Sequence, residues 1–345
     1  MKIVVDDKIP YIQPYLHELA DEVVAKRGSE ITAEDVRDAY IIIVRTRTRV
    51  DRQLLEGSSV ALVVTATIGY DHLDTDYLRE AGIEWANCAG CNATSVAQYV
   101  QNSLLLLEHE RKLKISEATL GIVGVGHVGT EVMAAALRMG FKRILLNDPP
   151  REEARHELPA GLCWNSLYKL QQECDVITFH TPLTREQPHA TYHLADARFF
   201  RLLRKHPVII NAARGGVVDE AELLKAMDSS LVSEAVIDTW EGEPAINRQL
   251  LERAFIATPH IAGYSADGKA NATRMALQSV ALFLNITKIY HVEPPALPAG
   301  LTLSDDPTER ALLLYNPMAD TARLRKNPDA FEQLRNDYPL RREHA

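Results

Sequence analysis

Along the chain, short aliphatic and β-branched runs alternate with longer stretches whose apolar positions recur every three or four residues. KIVVD, YIIIVR and VALVVT are near-continuously apolar, while PYLHELADEVVAKRG (14–28) and YDHLDTDYLREAG read as helices. Strands buried on both faces lose their polar alternation, and helices between successive strands imply a parallel sheet covered on both sides. A longer helical pattern, NATSVAQYVQNSLLLLEHERK, carries Ser95 and Gln98 at capping-box spacing and suits a connector. A second α/β series follows: TLGIVGVG, VGTEVMAAALRMG, RILLND, DVITFH, PVIINAA, SEAVID and FIATP. From Ser265, ADGKANATRMALQSVALFLNI leaves this second sheet and by chain geometry can return to the first, before the proline-rich HVEPPALPAGLTLSDDP breaks regularity. The reading is α/β, with two doubly wound parallel-sheet domains. Residues 1–93 with 265–287 form the first, 94–264 the second, and 288–345 a small C-terminal region.

Composition narrows the partners. With 38 Lys and Arg against 47 Asp and Glu, the net charge of -9 excludes the basic footprint that nucleic acid requires. The locally basic RLRKNPDAFEQLRNDYPLRRE reads as a solvated helix face. MKIVVDD reads as a first strand rather than a leader, and SLLLL, closed by EHERK, is far short of the roughly 20 residues a bilayer requires, so no membrane partner is expected. Four cysteines make no disulfide framework and favour the cytoplasm; CAGC has no second ligand pair, so no metal is expected.

The segment GIVGVGHVGTEV places Gly124, Gly126 and Gly129 after an apolar strand and at the start of a helix. That spacing serves a tight turn, close backbone approach to a pyrophosphate, and close helix–strand packing. The next strand ends about 20 residues on at Asp148, where a carboxylate accepts from ribose hydroxyls and repels a 2′-phosphate. NAD is therefore expected over NADP, although Arg151 is near in sequence.

Three more segments, INAARGGVVDE, IDTWEGEP and TPHIAGY, end predicted strands at the edge where such sheets bind ligands. Oxidising an alcohol beside a carboxylate needs a cation, a base and a hydride acceptor. Arg214, His260 and NAD fit those roles, and Glu243 paired with His260 would stabilise the imidazolium.

The glycine turn, Arg214 with Gly215, Asp238 and Glu243 in DTWEGEP, and Pro259 with His260 together resemble the D-2-hydroxyacid dehydrogenases. The resemblance implies a Rossmann cofactor domain, a flavodoxin-like substrate domain and a C-terminal dimerisation region giving a homodimer. It implies that Arg214 holds the substrate carboxylate, His260 is the acid/base, Glu243 supports it and Asp238 contacts the nicotinamide carboxamide. His127, Val128, Thr181, Ala212, Ala213 and Gly263 would line the cofactor. VTATIGYDHLD, AGCNATSVAQYV and TPHIAGYSADGKA resemble those members that act on a small phosphorylated hydroxy acid. Substrate contacts then fall to Thr46, Thr67 and Tyr264, with Arg45 and Arg47 as cations for the phosphate. At Thr46 the family pattern has serine, and beyond RRE it extends further than this chain. Other members, acting on 3-phosphoglycerate, glycerate or an unphosphorylated acid, are the nearest alternatives; an NAD-sensing binding protein is the alternative of another class.

Overall fold

The computed structural model describes residues 1–297 and 300–343. They form two compact units, one of 1–92 with 266–296 and one of 93–265 with the rest of the described chain.

In the first unit, β1 (Lys2–Asp6), β2 (Glu22–Lys26), β3 (Ile41–Val44), β4 (Leu62–Thr65) and β5 (Glu84–Asn87) form a parallel sheet in the order β2-β1-β3-β4-β5. This is the flavodoxin-like order. Alternate residues of a strand face opposite sides. Ile3, Val5, Ile41, Ile43, Leu62 and Val64 therefore enter one core with Ala276, Leu277 and Val280 of the helix Ala266–Phe283, while Val4, Ile42, Val44 and Val63 enter another with Leu54 and Leu78. The stretch 14–28, expected as one helix, instead gives the short helix Gln13–Leu16 and the edge strand β2. The strand won because EVVAK has a partner ladder on β1, from Lys2 opposite Glu22 to Asp6 opposite Lys26, and its outer edge tolerates polar residues.

The second unit holds β6 (Thr119–Val123), β7 (Arg143–Asn147), β8 (Val176–Phe179), β9 (Val208–Asn211), β10 (Glu234–Ile237) and β11 (Ile256–Ala257), all parallel in the order β11-β10-β9-β8-β6-β7. Again the faces divide. Ile177, Phe179, Ile209, Ala235 and Ile237 pack on one side, Leu120, Ile122, Val176, Ile210 and Val236 on the other. The order reverses at β6, so a crevice opens beyond the carboxyl ends of β6 and β8.

Three expectations change here. The trailing segment is not a body apart from residue 288: residues 288–296 belong to the first unit, and the helices Pro317–Lys326 and Phe331–Asn336 bury Leu324 and Phe331 in the core of the second. Ser95 and Gln98 do not form a capping box, because the helix Ala93–Arg111 starts earlier and both side chains serve the chain's end. Ser95 Oγ donates to Glu343 at 2.6 Å and Gln98 Nε2 to the Arg342 carbonyl at 2.9 Å. Nor is the basic segment wholly a solvated face, since Arg341 is 7% exposed and donates to the carbonyls of Ile261, Ala262 and Tyr264.

Candidate active site

The turn after β6 gives each glycine its own reason. Gly124 has φ +86°, and a Cβ there would lie 2.8 Å from the Thr181 nitrogen. A Cβ at Gly129 would come within 2.0 Å of the Gly124 carbonyl oxygen, which is the helix packing on its own turn. At Gly126 a Cβ would meet nothing within 4 Å. There the protein itself sets no steric demand for glycine. Gly126 precedes the helix His127–Met139, whose N-terminus has no side-chain cap and so presents backbone donors and a positive dipole end. Asp148 directly follows β7; its Oδ2 accepts from the Val125 N–H at 2.8 Å and its Oδ1 from the Arg151 N–H at 3.2 Å. The Arg151 guanidinium is tied to the same turn, its Nη1 donating to the Val125 carbonyl at 2.6 Å.

Across the crevice, at the end of β8, burial pushes His180 down to about 3, so the ring is neutral. His180 Nε2 pairs with Thr178 Oγ1 at 2.9 Å, while His180 Nδ1 and Thr181 Oγ1 are buried without a partner among the described residues. Orphaned polar atoms beside an open glycine turn fit a polar ligand. A dinucleotide would suit the set, with Gly126 and the helix start to hold its phosphates and Asp148 its ribose.

The tips of β9, β10 and β11 carry the rest. Arg214 is exposed, its Nη1 donating to the adjacent Ala213 carbonyl at 2.8 Å, and no carboxylate pairs with it among the described residues. The turn it opens is pressed onto the next loop, since a Cβ on Gly215 would lie 1.8 Å from the Trp240 carbonyl oxygen. Asp238, 1% exposed, accepts from Thr258 Oγ1 at 2.7 Å and from the N–H groups of Ile261 at 2.7 Å and Ala262 at 2.9 Å. Burial raises its pKa, against the lowering effect of His260 and these donors. The carboxylate thus fixes the loop that carries the histidine.

His260 itself has φ +56°, an uncommon conformation for a residue with a side chain, held by its N–H bond to the Asp238 carbonyl at 2.9 Å. Its Nδ1 lies 2.8 Å from Glu243 Oε2 and 3.1 Å from Oε1. A carboxylate only accepts, so Nδ1 carries the hydrogen in the neutral ring and Nε2 is the proton acceptor. Burial pushes the Glu243 carboxyl up, but the His260 hydrogen bond and charge, the Trp240 N–H and Arg335 together hold it below its ordinary value. It remains an anion.

The expected substrate residues fall in both units. Tyr264, beyond His260, stacks edge-to-face on Tyr338 with centroids 6.2 Å apart. In the first unit, Thr46 and Arg47 are exposed after β3, and Thr67 after β4 donates to the Gly69 carbonyl at 2.9 Å. Arg45 Nε donates to the fully buried Asp6 at 3.0 Å, so its charge balances an internal carboxylate. His127, Val128, Ala212, Ala213 and Gly263 all lie in the second unit, on the segments just described.

Residues 92–262 match the D-isomer specific 2-hydroxyacid dehydrogenase NAD binding domain. Over 343 residues the chain is 52% identical to an erythronate-4-phosphate dehydrogenase of Bacteroides thetaiotaomicron, covering 99% of this chain and 97% of that one. The chain belongs to the erythronate-4-phosphate dehydrogenase family. A member from Porphyromonas gingivalis is 42% identical, covering 99% of this chain and 94% of its own. In fold the chain is similar to a D-lactate dehydrogenase of Aquifex aeolicus solved with NAD and lactic acid, with TM-score 0.63, 24% identity, and 83% of this chain and 96% of that one covered. As a member of the erythronate-4-phosphate dehydrogenase family it is an NAD-dependent 2-hydroxyacid dehydrogenase. No described helix is long and apolar enough to cross a membrane.

Some site residues were not legible beforehand. Arg335, Arg341 and Glu220 carry no motif, and only the fold brings them to the loops after β10 and β11.

Proposed function

We propose that this enzyme oxidises erythronate 4-phosphate at C2 to 2-oxo-3-hydroxy-4-phosphobutanoate, on the route to pyridoxal phosphate. NAD, when bound, supplies the hydride acceptor. His260 Nε2 takes the C2 hydroxyl proton, and Glu243 stabilises the imidazolium that forms. Arg214 holds the substrate carboxylate, with a charge that no carboxylate among the described residues engages. Asp238 keeps the His260 loop in place, with acceptor capacity left for the nicotinamide amide. Thr46, Thr67, Tyr264 and Arg47 bind the remainder, Arg47 taking the phosphate. We place the enzyme in the cytoplasm as a homodimer.

The observation that carries this reading is the 2.8 Å His260–Glu243 pair in the loops after β10 and β11, at the same carboxyl edge of the sheet as a glycine turn with open space at Gly126. The test is steady-state oxidation of erythronate 4-phosphate, erythronate, 3-phosphoglycerate and glycerate by the native enzyme and His260→Ala. The phosphorylated erythronate should give the highest kcat/KM, and His260→Ala should lower kcat by about 10²–10⁴-fold with NAD affinity nearly unchanged. Weakened NAD binding without a selective loss of turnover would make His260 structural.

A further inference from the structure

The Glu243 carboxylate has a partner that the dehydrogenase reading does not use. Trp240 N–H donates to Oε1 at 2.8 Å and His260 Nδ1 faces both oxygens, but Arg335 Nη1 also lies 3.6 Å from Oε2. Arg335 comes from the C-terminal helix Phe331–Asn336, almost a hundred residues further along. That helix is anchored, not draped: Phe331 is 1% exposed in a core with Leu250 and Leu251. A few residues on, Arg341 lies 3.9 Å over the Tyr315 ring and donates to the carbonyls of Ile261, Ala262 and Tyr264. The chain's end therefore holds both members of the pair, His260 through its loop and Glu243 through its charge.

We propose that Arg335 is a positioning residue of the active site, which orients the Glu243 carboxylate and shares its charge so that His260 does not have the anion to itself. The proposal rests on the reading of His260 and Glu243 as the acid–base pair. The consequence has a definite sign. Without the guanidinium, Glu243 pairs with His260 alone and a like charge near the ring disappears; both changes favour the imidazolium. Alcohol oxidation needs the neutral ring, so the acid limb of kcat/KM should move to higher pH. Asp238 at the β10 tip acts on His260, and Glu220, at the start of the helix Glu220–Asp228 that precedes β10, acts on Glu243; Asp219 and Glu241, both paired with His193, act on Glu220, while Glu332 and Asp337 flank Arg335 in sequence; all persist in the variant. With the Arg335 side chain 33% exposed, water screens part of the effect.

The test is the pH dependence of kcat/KM for Arg335→Met and Arg335→Lys in the full chain, beside Glu243→Gln and His260→Ala, with thermal unfolding and NAD titration for each. Arg335→Met should lose roughly three- to tenfold more activity below the acid limb than above it, with the limb raised by up to about one pH unit, and Lys should restore most of it. A profile unmoved by Arg335→Met but moved by Glu243→Gln would overturn the proposal and leave the acid–base reading standing. A loss uniform across pH that Lys does not rescue would also overturn it, as a packing effect. If His260→Ala and Glu243→Gln leave turnover and profile unchanged too, the acid–base reading fails, and this inference with it.

Discussion

Two arginines two residues apart, Arg45 and Arg47, show how much a side chain's neighbours decide. The sequence offers both as cations for a phosphate. Asp6, however, is 0% exposed and its carboxylate accepts from Arg45, so that guanidinium balances a buried anion. Arg47 is exposed after the same strand and has no carboxylate partner among the described residues. Removing one member of a buried ion pair leaves the other uncompensated, typically a loss of about 3–5 kcal/mol, and the 27% exposure of the Arg45 side chain puts this case at or below the lower end. Arg45→Ala should therefore lower the melting temperature clearly, whatever the substrate. Arg47→Ala should leave the melting temperature within about a degree and reduce kcat/KM for erythronate 4-phosphate by about tenfold or more, with little change for erythronate. Equal losses on the two substrates would remove Arg47 from the phosphate site.

At the scale of elements, the strand β6, its glycine turn and the following helix form one device whose parts were readable from spacing, and at Gly124 and Gly129 the fold itself excludes a side chain. The structure separates what the spacing cannot. At Gly129 a Cβ would meet the Gly124 carbonyl oxygen at 2.0 Å, an internal clash, whereas at Gly126 it would project into open space. Gly129→Ala is expected to destabilise the protein by about 1–3 kcal/mol as an overpacking change. Gly126→Ala should unfold close to the native temperature and yet bind NAD at least about tenfold more weakly, because its methyl occupies the path of the pyrophosphate. Calorimetry and fluorescence titration of the two variants check the contrast; unimpaired NAD binding in Gly126→Ala would move the phosphates elsewhere. The buried strands β3, β4, β6 and β8 were equally legible from continuous apolar runs. The edge strand β2 was not, because EVVAK fits a helical period as well as a ladder, and only its pairing with β1 decides.

For the whole molecule, local patterns marked the loops after β9, β10 and β11 as candidates but could not show what surrounds them. The trailing segment reads as charged and solvated, yet it delivers Arg341 to buried carbonyls and Arg335 to Glu243, because long-range burial depends on where Leu324 and Phe331 find a core. Glu220 is hidden in the same way: in the sequence it is one acid in a helix start, but in the fold it is 7% exposed and accepts the Glu241 N–H at 2.6 Å. Burial above all, with the charges of Glu241, Glu243 and Asp219 adding, pushes its pKa from 4.5 up to about 7. A carboxyl that holds its proton more tightly when folded favours the fold fully below its unfolded value of 4.5, and that advantage is lost as pH rises toward 7. Glu220→Gln keeps an acceptor for the Glu241 N–H and removes the charge. Against the native enzyme it should therefore gain stability on going from pH 5 to pH 8, by about 1–3 kcal/mol, and its melting temperature should fall less over that interval. Denaturant melts of both proteins at the two pH values measure this directly. A difference between them that stays constant with pH would mean that Glu220 is already ionised at pH 5 in the folded chain, and that its bond to Glu241 outweighs its burial.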